Sequence, residues 1–115
     1  MTFRVKVSRS AKMDADDAYA WMKKEHSDTL AIRWFNGLVD AVNSLAEFPR
    51  RCALALESEE IGIELRQLLY GKRSATYRIV FTVVHDANSG DDIVQVYRIW
   101  HGARDSIKKN DLDDP

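Results

Sequence analysis

Thr76-Tyr77-Arg78-Ile79-Val80-Phe81-Thr82-Val83-Val84, TYRIVFTVV, is the stretch that decides the fold. Its β-branched and aromatic residues suit a pleated, packed surface. Asn88-Ser89-Gly90-Asp91 follows, and its Asn and Gly tolerate the positive φ angles of a hairpin turn. Ile93-Val94-Gln95-Val96-Tyr97-Arg98-Ile99-Trp100 then returns antiparallel. Working backwards, Glu64-Leu65-Arg66-Gln67-Leu68-Leu69-Tyr70 reads as a shorter strand ending at the turn signal Gly71-Lys72. The C-terminal half is therefore a three-stranded meander. Tyr77, Ile79, Phe81 and Val83 share one phase and make its core face, which sends Arg78, Val80, Thr82 and Val84 to the other. Ile93–Trp100 is largely apolar in both phases, as expected of a central strand covered on both sides.

The N-terminal half supplies a partner for the core face. Phe3-Arg4-Val5-Lys6-Val7-Ser8 alternates with period two, a half-buried strand. Ser8 or Ser10 can cap a following helix whose stripe is Ala15, Ala18, Tyr19 and Met22, with Asp14, Asp16 and Asp17 in its early turns. Ser27 or Asp28 can cap a second helix with the stripe Ala31, Trp34, Phe35, Leu38, Ala41, Val42 and Leu45, closed by Pro49. Two helices with so short a link form an antiparallel hairpin. Residues 50–63 read equally as loop or as a short turn of helix. The order β-α-α-β-β-β predicts an α+β fold, with the helical hairpin packed on one face of the sheet. It is expected to fill residues 1–106 as one domain, with 107–115 a flexible tail.

Composition sets the outer bounds. The chain has 115 residues, 45% hydrophobic and 30% charged, enough apolar material for one core. No apolar run is long enough to span a membrane, and the N-terminus lacks the apolar block of a signal peptide. Cys52 is the one cysteine, so there is no intramolecular disulfide and no cysteine-based zinc site. A cytoplasmic protein without metal or cofactor is expected. Net charge is −1, which disfavours tight sequence-independent nucleic-acid binding. The charge is uneven: Glu57, Glu59, Glu60 and Glu64 precede a segment where Arg66, Lys72, Arg73, Arg78, Arg98 and Arg104 outnumber Asp86, Asp91 and Asp92.

That segment holds the candidate chemistry. Arg66, Arg78 and Arg104, on or just after neighbouring strands, can converge at one end of the face away from the helices. Guanidinium forks held there suit phosphate or carboxylate. Lys72 and Arg73 add cations on the adjoining turn, and Gly102 lets the chain bend back so that Arg104 reaches the face. Histidine is the side chain suited to proton transfer near neutral pH, so His101 could move a proton. Each reading has a plainer rival: an ion pair of Arg66 with Glu64 or Arg104 with Asp105, and a packing role for His101. Trp21, Trp34 and Trp100 suit core or partner contacts, Cys52 a small buried hydrophobe, and His26 and His85 propose no metal site. No phosphate loop, dinucleotide fingerprint or catalytic-triad order is present.

Several strings, in this order, resemble the RelE/ParE superfamily, the toxins of bacterial type II toxin–antitoxin modules. They are Val7-Ser8-Arg9-Ser10-Ala11, Trp34-Phe35-Asn36 through Phe48-Pro49, Leu65-Arg66-Gln67-Leu68, Tyr77-Arg78-Ile79-Val80-Phe81 and Ile99-Trp100-His101-Gly102-Ala103-Arg104. The last is closest to the ParE-like, or plasmid stabilisation, branch. The resemblance implies a growth-inhibiting toxin neutralised by a cognate antitoxin in a hetero-oligomer. RelE-like members cleave mRNA on the ribosome without metal, and ParE-like members bind DNA gyrase. On the RelE-like reading Arg66, Arg78 and Arg104 would hold phosphate and His101 would transfer the proton. Arg78 and Arg104 match that family's arginines, while Arg66 stands where a lysine is usual. No Tyr or His follows Arg104, although RelE-like sites carry a C-terminal Tyr. That departure favours gyrase binding and leaves ribosome-dependent cleavage as the alternative; Lys72, Arg73, Tyr77, Arg98 and Trp100 are the candidate binding residues for antitoxin or target.

Overall fold

The computed structural model describes residues 2–72, 75–104 and 106–112. Strand β1 (Arg4–Val7) leads into helices α1 (Arg9–Glu25) and α2 (Asp28–Asn43). Two 3₁₀ turns (Ser44–Ala46 and Pro49–Arg51) and the single-turn helix α3 (Ser58–Ile61) connect to β2 (Arg66–Tyr70), β3 (Tyr77–His85) and β4 (Asp92–His101). The sheet has four strands in the order β1-β4-β3-β2, with β1 parallel to β4 and the meander antiparallel. No helix among the described residues is long and apolar enough to cross a membrane.

Both helices start where their serines place them. Ser8 Oγ accepts the Ala11 amide at 3.0 Å and Ser27 Oγ accepts that of Leu30 at 3.1 Å, each satisfying an amide with no partner inside the helix. The buried stripes, Ala11, Ala15, Ala18 and Met22 against Ala31, Trp34, Leu38 and Val42, follow the helical period and cover Tyr77, Ile79, Phe81, Val94, Val96 and Ile99. Small alanines on α1 let the hairpin lie close to the sheet. The expected core face of β3 is the observed one.

Three expectations need correction. Helix α2 ends at Asn43 rather than running to Pro49, and its chain tightens into a 3₁₀ turn. Phe48, before the proline, takes the left-handed conformation (φ 48°). Arg51 Nη1 donates to the carbonyls of Glu47 (2.6 Å) and Phe48 (3.2 Å) and so closes that turn. Asp14, Asp16 and Asp17 are not in the first turn of α1, which begins at Arg9.

The third correction concerns the far side of the sheet. It carries a second core of Ala55, Leu65, Val80, Trp100 and Ile107, with Ile61, Tyr97 and Leu112 at its margin. Residues 53–55 lie along the start of β2, where the Ala55 amide donates to Leu65 O and the Gln67 amide to Ala53 O. From the other end, Ile107 is 3% exposed and Lys109–Leu112 forms a 3₁₀ turn. The expected flexible tail from residue 107 is thus packed through Leu112. Asp113, Asp114 and Pro115 lie outside the described residues.

A bulge decides which side chains of β4 face which core. Val80 pairs with Arg98 but Phe81 pairs with Val96, so Tyr97 is an extra residue on β4. Before it, Val94 and Val96 face the helices; after it, Ile99 takes over that role and Trp100 turns to the second core. β1 stops opposite Val96, and the start of α1 covers the exposed strand edge beyond it. Ser8 N donates to Val96 O (3.0 Å), Ser8 Oγ to Tyr97 O (2.8 Å), and the Ile99 amide to Asp14 Oδ2 (3.0 Å).

Candidate functional site

The candidate arginines sit on rigid strands, but they do not form one cluster. Arg66 shares its phase on β2 with Leu68 and Tyr70, which pack into the core beneath the helices. It pairs with Phe81, whereas Arg78 pairs with Leu69, so Arg66 and Arg78 belong to opposite faces. The expected convergence fails on that register. Arg66 instead donates from Nη1 to Cys52 O (2.7 Å) and from Nη2 to Glu64 Oε1 (2.9 Å), the plainer reading of this residue. These bonds tie the irregular segment 50–52 to β2.

Arg78 does lie on the face away from the helices, as expected, but it is enclosed there. Its Nη1 and Nη2 donate to Glu57 Oε2 (2.9 Å) and Oε1 (2.7 Å), and its Nε donates to Gln67 Oε1 (2.8 Å). The two charged side chains are 13% and 9% exposed. Glu57 Oε2 also accepts the Ile107 amide at 3.0 Å. The hydrogen bonds from Arg78, with those from the backbone, hold the Glu57 carboxyl below the usual glutamate range despite its burial. This bidentate pair links α3's N-terminal flank, β3 and the C-terminal segment.

Arg98 is paired as well. Its Nε and Nη2 donate to Asp14 Oδ2 (2.8 Å) and Oδ1 (2.7 Å), while its guanidinium carbon lies 4.9 Å from the centre of the Trp100 ring. Arg98 thus fixes α1 to β4 and is not an open binding cation. Trp100 is 5% exposed, and Tyr77 is buried against Trp34 and His101 with its hydroxyl pKa pushed up by that burial. Neither presents a broad surface to a partner. Lys72 is exposed on the turn after β2. Arg73 and Asp105 lie outside the described residues.

Arg104 remains outward. Its guanidinium carbon stacks 3.9 Å from the centre of the Trp100 ring, and among the described residues no carboxylate lies within ion-pair reach of it. The turn carrying it is firmly built: the Gly102 amide donates to Thr76 O (2.8 Å), the Ala103 amide to His101 Nδ1 (3.0 Å) and the Arg104 amide to His101 O (3.0 Å). A Cβ at Gly102 would stand 3.1 Å from Thr76 O, tighter than usual, which accounts for glycine there. Because His101 Nδ1 accepts a hydrogen bond, the neutral ring carries its proton on Nε2. Arg104 and Arg78 both line a cleft of about 350 Å³ with Leu56, Leu69 and Gln67, and Arg104 also lines one of about 210 Å³ with Asp17 and His101.

Glu57, Gln67 and Asp14, which complete these pairs, were not singled out by sequence. Glu57 is separated from Arg78 by 21 residues and Asp14 from Arg98 by 84, so only the tertiary register joins them. The acidic run opening at Glu57 was the one available signal for the first pair.

The fold defines a class: a helical hairpin laid on one face of a sheet whose last three strands form an antiparallel meander, the architecture expected of the RelE/ParE superfamily. A family model described as the ParE toxin of the type II toxin–antitoxin system parDE matches residues 5–106. The chain belongs to the ParE toxin family. Among solved structures, the chromosomal ParDE TA system from P. aeruginosa is similar, with a TM-score of 0.66 and 21% identity over 87% of this chain and 96% of that one. That likeness concerns the fold. Comparison with curated proteins gives no match.

Proposed function

We propose that this toxin arrests growth by binding DNA gyrase in the cytoplasm, and that a cognate antitoxin neutralises it in a hetero-oligomer. The observation that carries this reading is the enclosure of Arg78. A metal-free ribonuclease needs that guanidinium open to stabilise a crowded phosphate, and here both its Nη atoms are held by the buried Glu57 carboxylate. Arg66 lies on the other face. Family membership supports the antitoxin. On the sheet face away from the helical hairpin, Leu56 (97% exposed) and Leu69 (58% exposed) offer apolar area that an antitoxin segment would cover.

A gyrase supercoiling assay run beside cell-free translation with primer extension tests the proposal. Inhibited supercoiling with intact reporter mRNA is the expected result. Cleavage of mRNA in the ribosomal A site, abolished in Arg78→Ala, would refute it and restore the ribonuclease.

A further inference from the structure

We propose that the target docks on the surface formed by Asp17 and Trp21 of α1 with His101 at the end of β4 and Arg104 just after it, and that this surface takes a protein rather than a nucleic acid. The inference rests on the gyrase reading above and locates that reading on the chain. Asp17 and Ala18 lie three and four residues after Asp14, and Trp21 lies four and three after them, so the four share one face of α1. Asp14, Asp17 and Ala18 line the same cleft as His101 and Arg104, which brings that helix face against the end of β4. One turn further along, Trp21 is 53% exposed, braced edge-on by His26 with ring centres 5.6 Å apart.

The composition is that of an interface centre. Exposed Trp and stacked Arg side chains are the residues that most often dominate protein–protein affinity. Arg104 is preorganised by the Trp100 ring beneath it and by the hydrogen-bonded turn that carries it, so little freedom is lost when its outer edge meets a carboxylate. Charge then separates the two kinds of partner. Asp14 is neutralised by Arg98, but among the described residues Asp17 has no cation within ion-pair reach. A phosphate backbone drawn to Arg104 would bring its negative charge against Asp17. A protein segment carrying an acidic side chain for Arg104, a basic one for Asp17 and an apolar group for Trp21 satisfies all three.

Arg104→Glu, Trp21→Ala and Asp17→Lys place these demands under test, because each side chain is exposed and belongs to neither core. Arg4→Glu is the control, at the opposite end of the sheet where β1 meets the start of β4. With purified bacterial DNA gyrase, each of the three variants should raise the half-inhibitory toxin concentration about tenfold or more, and Arg4→Glu should leave it unchanged. Melting temperatures near the wild type's establish that the variants are folded. Unchanged inhibition by folded Arg104→Glu and Trp21→Ala would overturn the inference while leaving the gyrase reading standing. Tight binding of the wild-type chain to a duplex DNA fragment, lost in Arg104→Glu, would overturn it in favour of nucleic acid. If the wild type spares supercoiling, the gyrase reading itself falls, and the surface is then judged by growth arrest. Arrest retained in Arg104→Glu would overturn it, and arrest lost there but kept in Arg4→Glu would support it.

Discussion

Glu57→Ala should be among the most damaging single substitutions in this chain, although it removes no hydrophobic side chain. The variant removes the acceptor of two charge-assisted hydrogen bonds from Arg78 and of one from the Ile107 amide. It leaves the Arg78 guanidinium, 13% exposed, with Gln67 Oε1 as its acceptor. Breaking a buried pair from one side costs about 3–5 kcal/mol, because the stranded charge is poorly solvated. With an unfolding entropy of about 2.1 cal/mol/K per residue, 115 residues give roughly 0.24 kcal/mol/K, so a loss of about 3 kcal/mol lowers the melting temperature by about 12 °C. Arg78→Met should cost a similar amount. The double variant Glu57→Leu/Arg78→Met should be more stable than either single one, since an apolar pair of similar volume needs no desolvation of charge. Urea and thermal unfolding of wild type, Glu57→Leu, Arg78→Met and the double variant give the coupling energy directly. Additive effects, or a Glu57→Ala loss below about 0.5 kcal/mol, would refute the role assigned to the pair.

The same pair sets a pH dependence. Glu57 is held below its ordinary value of 4.5, so its stabilisation is complete above that value and is lost as pH falls through the lower folded-state value. Glu57→Gln should therefore be less stable than wild type at pH 7 and lose less on acidification, measured as melting temperature against pH. Ser8→Ala removes both the α1 cap and the bond to Tyr97 O, and should cost about 2 kcal/mol in urea unfolding. At Gly37 an added Cβ would collide with the Tyr70 hydroxyl, which donates to Trp34 O at 2.7 Å; Gly37→Ala should cost about 1–3 kcal/mol by the same measurement. Truncation after Ser106 uncovers the second core and removes the Ile107 amide from Glu57, so the shortened chain should melt well below the full one.

Local signals made most of the framework readable. Alternation and β-branched, aromatic runs located the strands, the apolar face of β3 was visible in Tyr77, Ile79 and Phe81, and each helix start was narrowed to two cap candidates, of which Ser8 and Ser27 do the capping. Arg78 was placed on its proper side by phase alone. What escaped depends on register between distant segments. One extra residue at Tyr97 turns Trp100 to the second core while returning Ile99 to the first, and no local pattern announces that bulge. Arg66 is separated from the face of Arg78 by a single step of pairing. Glu57, in a stretch without periodicity, and Ile107, in a charged and apparently loose tail, acquire their roles only by meeting each other. The candidate site failed as a cluster for that reason: its arginines were correctly located along the chain, but of their carboxylate partners only Glu64, beside Arg66, was foreseen.

The most direct test uses the Glu57→Leu/Arg78→Met double variant, shown to be folded, in a growth-arrest assay beside wild type and in gyrase supercoiling. If Arg78 is a structural tie within a toxin that acts by contact, the double variant arrests growth and inhibits supercoiling at wild-type concentrations. A folded double variant that has lost arrest would contradict this, and would return the Arg78 guanidinium to the toxin's chemistry.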